Sequence, residues 1–320
     1  MKKEYLILIL LIFALSGYLI FKKQDRRHYT LPDPPKVKAD QVDRLAVEKP
    51  DRSIAFTRKD KGWVVTDKNY PVDDTAMRQM MDVITGLRLS ALVSEKQDVV
   101  RYELDDSHGI DVTAYDQNRS LLSFKIGKTA PTFNHTFVML ENDPNIYHAK
   151  DSFRQHFNKT VNEFRDKQVM DFKEASITGI TIETRGKQTR LTAGETGFDT
   201  QDETEAGFRY EDGGAPDQKT VSDLLSTLSV LTCDRFLEDT DKHTLEKDPF
   251  DLKITLENDT PIVLQLFDQG EEGPVFATSS MNAYAFVLED YVAKDIRSWA
   301  HELAGLTSEQ EEEEKEPAVQ

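Results

Sequence analysis

The feature that most constrains the fold is an internal repeat, because apolar positions in the first half of the chain recur in the same order in the second half. Leu45 and Val47 match Ile180 and Ile182 at an offset of 135 residues. A run with helical spacing recurs at an offset of 144: Met77, Met80, Met81, Ile84 and Leu87 match Val221, Leu224, Leu225, Leu228 and Leu231. Self-similarity of this kind indicates one supersecondary unit that occurs twice.

Two further sets of positions continue the repeat. Alternating apolar residues, typical of half-buried strands, recur at an offset of 142: Ile110, Val112, Leu122 and Phe124 match Leu252, Ile254, Leu264 and Leu266. Residues with helical spacing close each half at an offset of 139: Phe153, Phe157 and Phe164 match Val292, Ile296 and Leu303. Asp73 and Asp217 precede the two long helical runs and are predicted to cap them. Residues 116–118 and 258–260 are predicted to form hairpin turns.

The predicted fold class is α+β, with two tandem copies of a mostly antiparallel sheet-plus-helix module preceded by one N-terminal transmembrane helix. In the first copy we expect strands near 43–48, 53–58, 61–66, 110–116, 121–127, 136–140 and 145–149. A long helix interrupts them and a closing helix follows. The predicted core of the repeat comprises Trp63, Phe198, Met81, Leu225, Phe157 and Ile296. The alternative for Trp63 is a ligand-stacking role.

The N-terminus contains an uncharged segment, Tyr5 to Phe21, with basic residues on both sides. At 1.5 Å per residue it covers about 25 Å, the short end of a spanning helix. The predicted membrane anchor includes Tyr5, Leu6, Ile7, Leu8, Phe13, Leu19 and Phe21. The alternative is a signal peptide cleaved near Ala14-Leu15-Ser16. Tyr18 stands where a lipobox would need cysteine, which excludes a lipoprotein.

The predicted domain bounds follow from these patterns and from composition. They are 1–27 for the anchor, 28–41 for a Pro-rich spacer, 42–165 and 166–306 for the two modules, and 307–320 for a disordered acidic tail. The net charge of the chain is −18. The first 27 residues carry +4, so the remainder carries −22. This acidity argues against binding to nucleic acid, which needs a basic patch.

Orientation in the membrane follows from two opposed rules. More basic residues follow the apolar segment than precede it, which alone favours a cytoplasmic body. Long domains cross the membrane largely regardless of charge, so we expect an extracytoplasmic body on the bacterial cytoplasmic membrane, with a single span.

Short motifs along the body resemble those of a known family. They are Gly62-Trp63, Tyr70-Pro71-Val72-Asp73, Tyr102-Glu103-Leu104, Ile126-Gly127, Ile146-Tyr147 and Phe164-Arg165-Asp166-Lys167. In this order, over residues 40 to 300, they resemble the domain-of-unknown-function family 4340. The resemblance implies a bacterial envelope protein, often encoded beside ABC-type transport components of the gliding-motility auxiliary kind, with an accessory or binding role. It implies no catalytic residues. Ser107-His108-Gly109 departs from the family pattern, which has Gly-Leu and Pro there.

Sequence motifs for catalysis or metal binding are absent. The single cysteine, Cys233, excludes an intrachain disulfide. No H-E-x-x-H, G-x-S-x-G, Walker or G-x-G-x-x-G pattern occurs. The carboxylate pairs Asp73-Asp74 and Asp105-Asp106 could serve a glycosidase, but a cap and a polar turn explain them. Asp239 and Asp241 lack a full calcium-loop pattern, and surface positions explain His148 and His156 better than a metal pair.

These patterns predict a non-enzymatic, membrane-anchored envelope protein without a cofactor. Its expected partners are membrane lipid, through the N-terminal helix, and a protein of an ABC-type transport complex. The alternatives are an envelope hydrolase that uses carboxylates in a cleft between the modules, or a periplasmic solute-binding module.

Overall fold

The structure is a computed structural model that describes residues 11–18, 29–95, 98–184, 186–194, 207–237, 242–267 and 273–306. The chain divides into two units, Met1–Phe164 and Arg165–Gln320. Each unit contains one antiparallel sheet and several helices, so the α+β class is confirmed.

The first unit has a nine-stranded sheet with the order β4-β3-β2-β1-β6-β7-β8-β9-β5. The strands are β1 (Arg44–Lys49), β2 (Arg52–Lys59), β3 (Gly62–Val65), β4 (Tyr70–Pro71), β5 (Leu89–Ser94), β6 (Ile110–Asp116), β7 (Arg119–Thr129), β8 (His135–Leu140) and β9 (Ile146–Lys150). The helices are α1 (Asp74–Gly86), α2 (Arg154–Phe157) and α3 (Val161–Phe164). Strand β5, which follows the long helix and forms one edge of the sheet, was not predicted.

The second unit has an eight-stranded sheet with the order β12-β11-β10-β14-β15-β16-β17-β13. The strands are β10 (Gly179–Thr184), β11 (Lys187–Ala193), β12 (Phe208–Tyr210), β13 (Arg235–Phe236), β14 (Leu252–Glu257), β15 (Ile262–Phe267), β16 (Phe276–Ser279) and β17 (Phe286–Val287). The helices are α4 (Gln218–Ser229), α5 (Lys242–Leu245) and α6 (Asp290–Leu303). When β1 is matched to β10, every strand of the second sheet has a counterpart at the same place in the first sheet. Only β4 of the first sheet has no counterpart among the described strands of the second.

The pairing of strands follows the offsets found in the sequence. Val47 pairs with Val112 in the first sheet, and Ile182 pairs with Ile254 in the second, which reproduces the offsets of 135 and 142. The next strand differs, because Val112 pairs with Phe124 but Ile254 pairs with Leu264. The offset there is therefore 140 and not 142. A register shift after Ala114 accompanies the longer first hairpin.

The long helices and their caps agree with the sequence. Asp73 accepts a 2.7 Å hydrogen bond from the Ala76 amide, and Asp217 accepts one of 2.8 Å from the Lys219 amide. These bonds satisfy amide groups that the first helical turn leaves unpaired. The helices bury the predicted apolar stripe, with Met81 7% and Leu225 5% exposed. The exception is Leu87, which follows the end of α1 and is half-buried.

The predicted closing helix is continuous only in the second unit. In the first unit it is broken into α2 and α3, whereas α6 runs for 14 residues. The break has a local cause. Thr160 and Glu163 form a reciprocal capping box that starts a new helix: the Thr160 amide donates to the Glu163 carboxylate, and the Glu163 amide donates to Thr160 Oγ1. Phe157 and Ile296 are nevertheless fully buried.

Trp63, the second residue of β3, is half-buried rather than fully enclosed, and the Arg58 guanidinium lies 5.0 Å from its ring centroid. Phe198 lies outside the described residues. The predicted spacer is also more than a solvated link. Pro34 is buried, Val37 is 7% exposed, and Arg58 donates a 2.7 Å hydrogen bond to the Ala39 carbonyl. The second half of the spacer is therefore part of the folded chain.

Residues 11–18 form a helix whose apolar side chains are exposed, including Phe13 at 75%. Within the described ranges, none of the helices combines the length and the apolar character that crossing a bilayer requires. The predicted anchor residues Tyr5, Leu6, Ile7, Leu8, Leu19 and Phe21 lie outside those ranges, as does the tail 307–320.

Candidate functional site

The first sheet has two different faces. One face packs on the short helices, since the ring of Phe124 lies 6.4 Å from that of Phe157 in an edge-on contact. We call the opposite face, which carries Ser123, Lys125 and Met139, the outer face. Side chains alternate between the faces along a strand, so residues two apart in β7 share a face.

A short connection covers part of the outer face with apolar residues. It follows β5 and brings Leu104 into a buried cluster with Ala130, Phe137 and Ile146. The ring of Tyr102 contacts that of Phe137 in a tilted arrangement, with ring centroids 4.7 Å apart. The second unit forms the same kind of cluster from Leu245, Phe267 and Ala285. The outer face is therefore a second packed layer and not a fully solvated surface.

Beside this cluster lies a groove of about 600 Å³ on the outer face of the first unit. It is lined by Val99, Asp111, Ser123, Phe124, Lys125, Met139, Leu140, Glu141, Asn142, Asp143 and Pro144. Strands β6, β7 and β8 form its base, because Asp111 pairs with Lys125 and Lys125 with Met139 across the ladders. Its volume lies within the range of ligand pockets, which is 300–1,000 Å³.

Lys125 is the cation in this groove, and it is already paired. Its side chain is 14% exposed, and its ammonium lies 2.9 Å from Asp106 and 3.3 Å from Asp111. Burial lowers the pKa of Lys125, but the two carboxylates outweigh burial, so its pKa is raised. The ammonium therefore stays charged, and its own charge is offset by two carboxylates.

Asp143 and Tyr147 form the rim of the groove. The buried hydroxyl of Tyr147 donates a 2.7 Å hydrogen bond to Asp143 Oδ2, and the Asn145 amide donates one of 3.0 Å to Asp143 Oδ1. Burial raises the pKa of Tyr147, and its bond to Asp143 raises it further. Glu141 is exposed beside them. The rim thus presents two carboxylates: Asp143, which is oriented by two hydrogen bonds, and Glu141, which is exposed to solvent.

Three of the family-like motifs meet at the outer-face cluster. A side chain at Gly127 would overlap the Tyr102 carbonyl oxygen and would lie 2.9 Å from Leu104 Cγ. Glycine at this position therefore permits the close approach of the connection that carries Tyr102 and Leu104. Ile146 completes the cluster. The motifs Tyr102-Glu103-Leu104, Ile126-Gly127 and Ile146-Tyr147 are explained by packing.

Two other motifs also have packing roles. The Asp73 amide donates a 2.8 Å hydrogen bond to the Phe164 carbonyl, which joins the start of α1 to the end of α3. In the second unit, the guanidinium of the buried Arg165 lies 3.6 Å from the ring centroid of Phe236 and 4.8 Å from that of Tyr284. Such cation–π contacts stabilise a buried guanidinium.

The carboxylate pairs considered for a hydrolase have local partners. Asp73 is the helix cap described above. Asp105 accepts hydrogen bonds from the Ser107 amide and the His108 ring, while its carbonyl accepts one from the Gly109 amide. These bonds to His108 and the backbone lower the pKa of Asp105. Asp106 is fully exposed and forms an ion pair with Lys125. Ser107-His108-Gly109, the loop that differs from the family pattern, is thus a turn stabilised by hydrogen bonds to Asp105.

The two histidines considered for metal binding lie on different elements, β9 and α2. His148 stacks on His135, with ring centroids 5.2 Å apart, and burial lowers its pKa. His156 lies in α2. Asp239 and Asp241 lie outside the described residues, and the described part of the chain contains no group of three or more metal-ligating side chains. Cys233 is buried, which raises its pKa to about 12 and keeps the thiol protonated.

The sequence did not single out Asp111, Lys125, Glu141 and Asp143. The available signal was weak: the first two occupy solvent-facing positions of predicted strands, and the last two lie in the turn between the predicted strands 136–140 and 145–149.

A family model described as a domain of unknown function, DUF4340, matches residues 63–249, a shorter span than the resemblance indicated. No curated protein and no solved structure matches the chain. The matched segment includes the groove and five of the six motifs in full. Because it covers more than half of the chain, the chain belongs to the DUF4340 family.

Proposed function

We propose that the protein is a membrane-anchored, non-enzymatic component of the bacterial envelope that binds a protein partner through the groove of its first unit. The partner that the family resemblance favours is a component of an ABC-type transport complex. The observation that carries this proposal is the groove itself, whose lining combines apolar side chains, such as Val99, Met139 and Leu140, with carboxylates on its rim. Interface patches commonly combine an apolar centre with a polar rim.

The anchor is supported by residues 11–18. Four large apolar side chains on this helix, Leu11, Ile12, Phe13 and Leu15, are each more than half exposed. Burying apolar surface is worth roughly 25 cal/mol per Å², so such a helix in water is unfavourable. A bilayer around residues 5–21 would remove this surface from water. Since residues from Pro34 onward belong to the folded chain, the remaining link would hold the body close to that bilayer.

Fractionation tests the anchor. Full-length protein should sediment with cytoplasmic membranes and resist an alkaline carbonate wash, whereas a chain that lacks residues 2–27 should be released. The mass of the membrane-bound form distinguishes anchor from signal peptide, because cleavage near Ser16 would remove about 16 residues. Protease digestion of spheroplasts should degrade the body if it is extracytoplasmic. Release of the full-length chain by carbonate would contradict the anchor.

Co-purification tests the partner. The full chain, crosslinked in cells and extracted with detergent, should be recovered with a permease or ATPase of an ABC-type system. Recovery of the protein alone after crosslinking would count against a role in a complex.

A solute-binding module is a second candidate, and the groove volume favours it. Thermal stabilisation by a small solute at micromolar concentration, together with the absence of a crosslinked protein, would support this candidate over the first.

A further inference from the structure

The two units contain the same turn, but with different chemistry. We call residues 140–143, on the rim of the groove, the acidic turn, and residues 279–282, which occupy the equivalent place after β16, the lysine turn. In the acidic turn the Asp143 amide donates a 3.2 Å hydrogen bond to the Leu140 carbonyl. In the lysine turn the Asn282 amide donates one of 3.2 Å to the Ser279 carbonyl. The offset is 139, as in the closing helices.

The hydrogen bonds that follow each turn are also equivalent. The Asn145 amide donates to the Asp143 side chain at 3.0 Å, and the Tyr284 amide donates to the Asn282 side chain at 2.9 Å. The residue inside each turn donates its amide hydrogen bond to the neighbouring strand: Glu141 donates to the Ser123 carbonyl, and Ser280 donates to the Val263 carbonyl. The two backbones therefore present the same pair of carbonyl groups, which belong to residues 140 and 143 or to residues 279 and 282.

The second unit fills its turn with its own lysine. The ammonium of Lys242, at the start of α5, donates to the Ser279 carbonyl at 2.7 Å and to the Asn282 carbonyl at 2.8 Å. Glu246 lies 3.6 Å away and offsets the charge. The Lys242 side chain is only 13% exposed. This turn is thus a built ammonium site, with two carbonyl acceptors and one carboxylate.

The first unit presents the same carbonyl pair to the groove. No described side chain donates to the carbonyls of Leu140 or Asp143. Lys125, the cation of the groove, is bonded instead to Asp106 and Asp111.

The two turns differ in charge, because the acidic turn carries two carboxylates and the lysine turn carries neutral side chains. Going from the first unit to the second, the equivalent positions change as follows: Asp111 to Lys253, Lys125 to Gln265, Glu141 to Ser280 and Asp143 to Asn282. The fold therefore does not require carboxylates at this face. The unit that supplies its own lysine has neutral residues in its turn, and the unit without one carries two carboxylates.

From this comparison we infer that the acidic turn binds the ammonium group of a lysine side chain from a partner protein, in the position that Lys242 occupies in the second unit. The Leu140 and Asp143 carbonyls accept its hydrogen bonds, and the carboxylates of Glu141 and Asp143 offset its charge. The aliphatic stem of the lysine lies along Val99 and Met139, which line the groove. This inference deepens the proposed function and names the chemistry of its partner.

A small probe tests the inference independently of any complex. We would add Nα-acetyl-lysine N-methylamide to the ¹⁵N-labelled full chain in detergent and follow amide chemical shifts. The expected result is saturable shifts at Glu141, Asn142 and Asn145. The norleucine analogue, which has an aliphatic side chain without the ammonium, should leave these amides unshifted. Equal shifts with both probes, or no shift with either, would overturn the inference but leave the co-purification result standing.

A matched variant comes from the chain itself. Glu141→Ser with Asp143→Asn gives the acidic turn the side chains of the lysine turn, and the new asparagine can still accept the Asn145 amide, as Asn282 accepts Tyr284. We expect at least a tenfold weaker affinity for the lysine probe and an unchanged amide spectrum elsewhere. Unchanged affinity would refute the role of the carboxylates. Lys96 lies outside the described residues, three positions before Val99 in the sequence. If the lysine probe causes shifts only in the Lys96→Met variant, this chain fills the acidic turn with its own lysine, and the partner assignment is overturned.

The premise is tested in the second unit. Lys242→Ala should lower the thermal midpoint, and n-butylammonium should restore part of the loss, while tetramethylammonium, which cannot donate hydrogen bonds, should not. Equal effects of the two cations would show that the turn does not select a hydrogen-bonding ammonium, and would contradict the inference.

Discussion

Replacing Gly127 by alanine should destabilise the first unit strongly, because the new methyl group has no space. It would overlap the Tyr102 carbonyl oxygen and approach Leu104 at 2.9 and 3.1 Å, where carbon atoms prefer 3.5–4.0 Å. Part of this contact is with backbone, so the connection that covers the outer face must move by about half an ångström or more. Overpacking of this kind costs about 1–3 kcal/mol, and we expect the upper end.

The chain offers a matched control for this change. Gly86, the last residue of α1, has nothing within 4 Å of the position that a Cβ would take. Gly86→Ala removes conformational freedom from the unfolded chain and raises helix propensity, so it should stabilise by up to about 1 kcal/mol. The same glycine-to-alanine change is thus expected to destabilise the protein at position 127 and to stabilise it at position 86.

Thermal unfolding followed by circular dichroism is a suitable assay. For a unit of this size, 1 kcal/mol corresponds to roughly 2–4 °C, so Gly127→Ala should lower the midpoint by about 6–12 °C. Gly86→Ala should raise it slightly. A midpoint for Gly127→Ala that equals that of the unaltered protein, or equal losses for both variants, would refute the close approach of Tyr102 to β7.

Three further outcomes follow from the structure. Asp73→Ala and Asp217→Ala should each cost about 1 kcal/mol in urea unfolding, because each removes a helix cap, while the asparagine variants should be near neutral. Leu104→Ala and Leu245→Ala should each cost about 2–5 kcal/mol if both residues seal an outer face, and a loss in only one unit would contradict the equivalence. The pKa of His148 is lowered in the folded protein, so as the pH falls the unfolded chain binds a proton at this histidine before the folded chain does. The free energy of unfolding should therefore decrease as the pH drops below about 6.5. The His148→Leu variant should show a weaker dependence of stability on pH in this range.

Much of the fold could be predicted because the repeat pattern is physical. Buried positions on a strand alternate and those on a helix recur every three or four residues, so two copies preserve their spacing even when few identities remain. The Val47–Val112 and Ile182–Ile254 pairs show this directly, since both ladder partners match at the predicted offsets.

The predictions that failed depended on local geometry that periodicity does not encode. The offset after the first hairpin was wrong by two residues, because seven residues lie between the paired Ala114 and Leu122 but only five between the equivalent Leu256 and Ile262. A bulge next to Ala114 accommodates one of the two extra residues. The closing helix of the first unit was wrong because the apolar spacing continues across the capping box at Thr160. Neither the bulge nor the capping box alters which residues are buried, so neither changes the hydrophobic pattern of the sequence.

The groove could not be predicted for a different reason. Its acids are separated along the chain, with Asp111 in β6 and Asp143 after β8, and they line one groove only because three strands pair in register. Because the chain contains many other carboxylates, these two residues cannot be distinguished in the sequence. What distinguishes Glu141 and Asp143 is the comparison with Ser280 and Asn282, and that comparison requires the observed strand pairing.

Crosslinking in native membranes tests the central claim most directly. A photoreactive phenylalanine analogue is placed at Pro144, which is exposed on the rim of the groove, or at Ala283, its exposed equivalent in the second unit. We predict that position 144 captures one envelope protein through a segment that contains lysine, and that position 283 captures none. Equal capture at both positions, or capture at 283 alone, would contradict a partner site in the first unit.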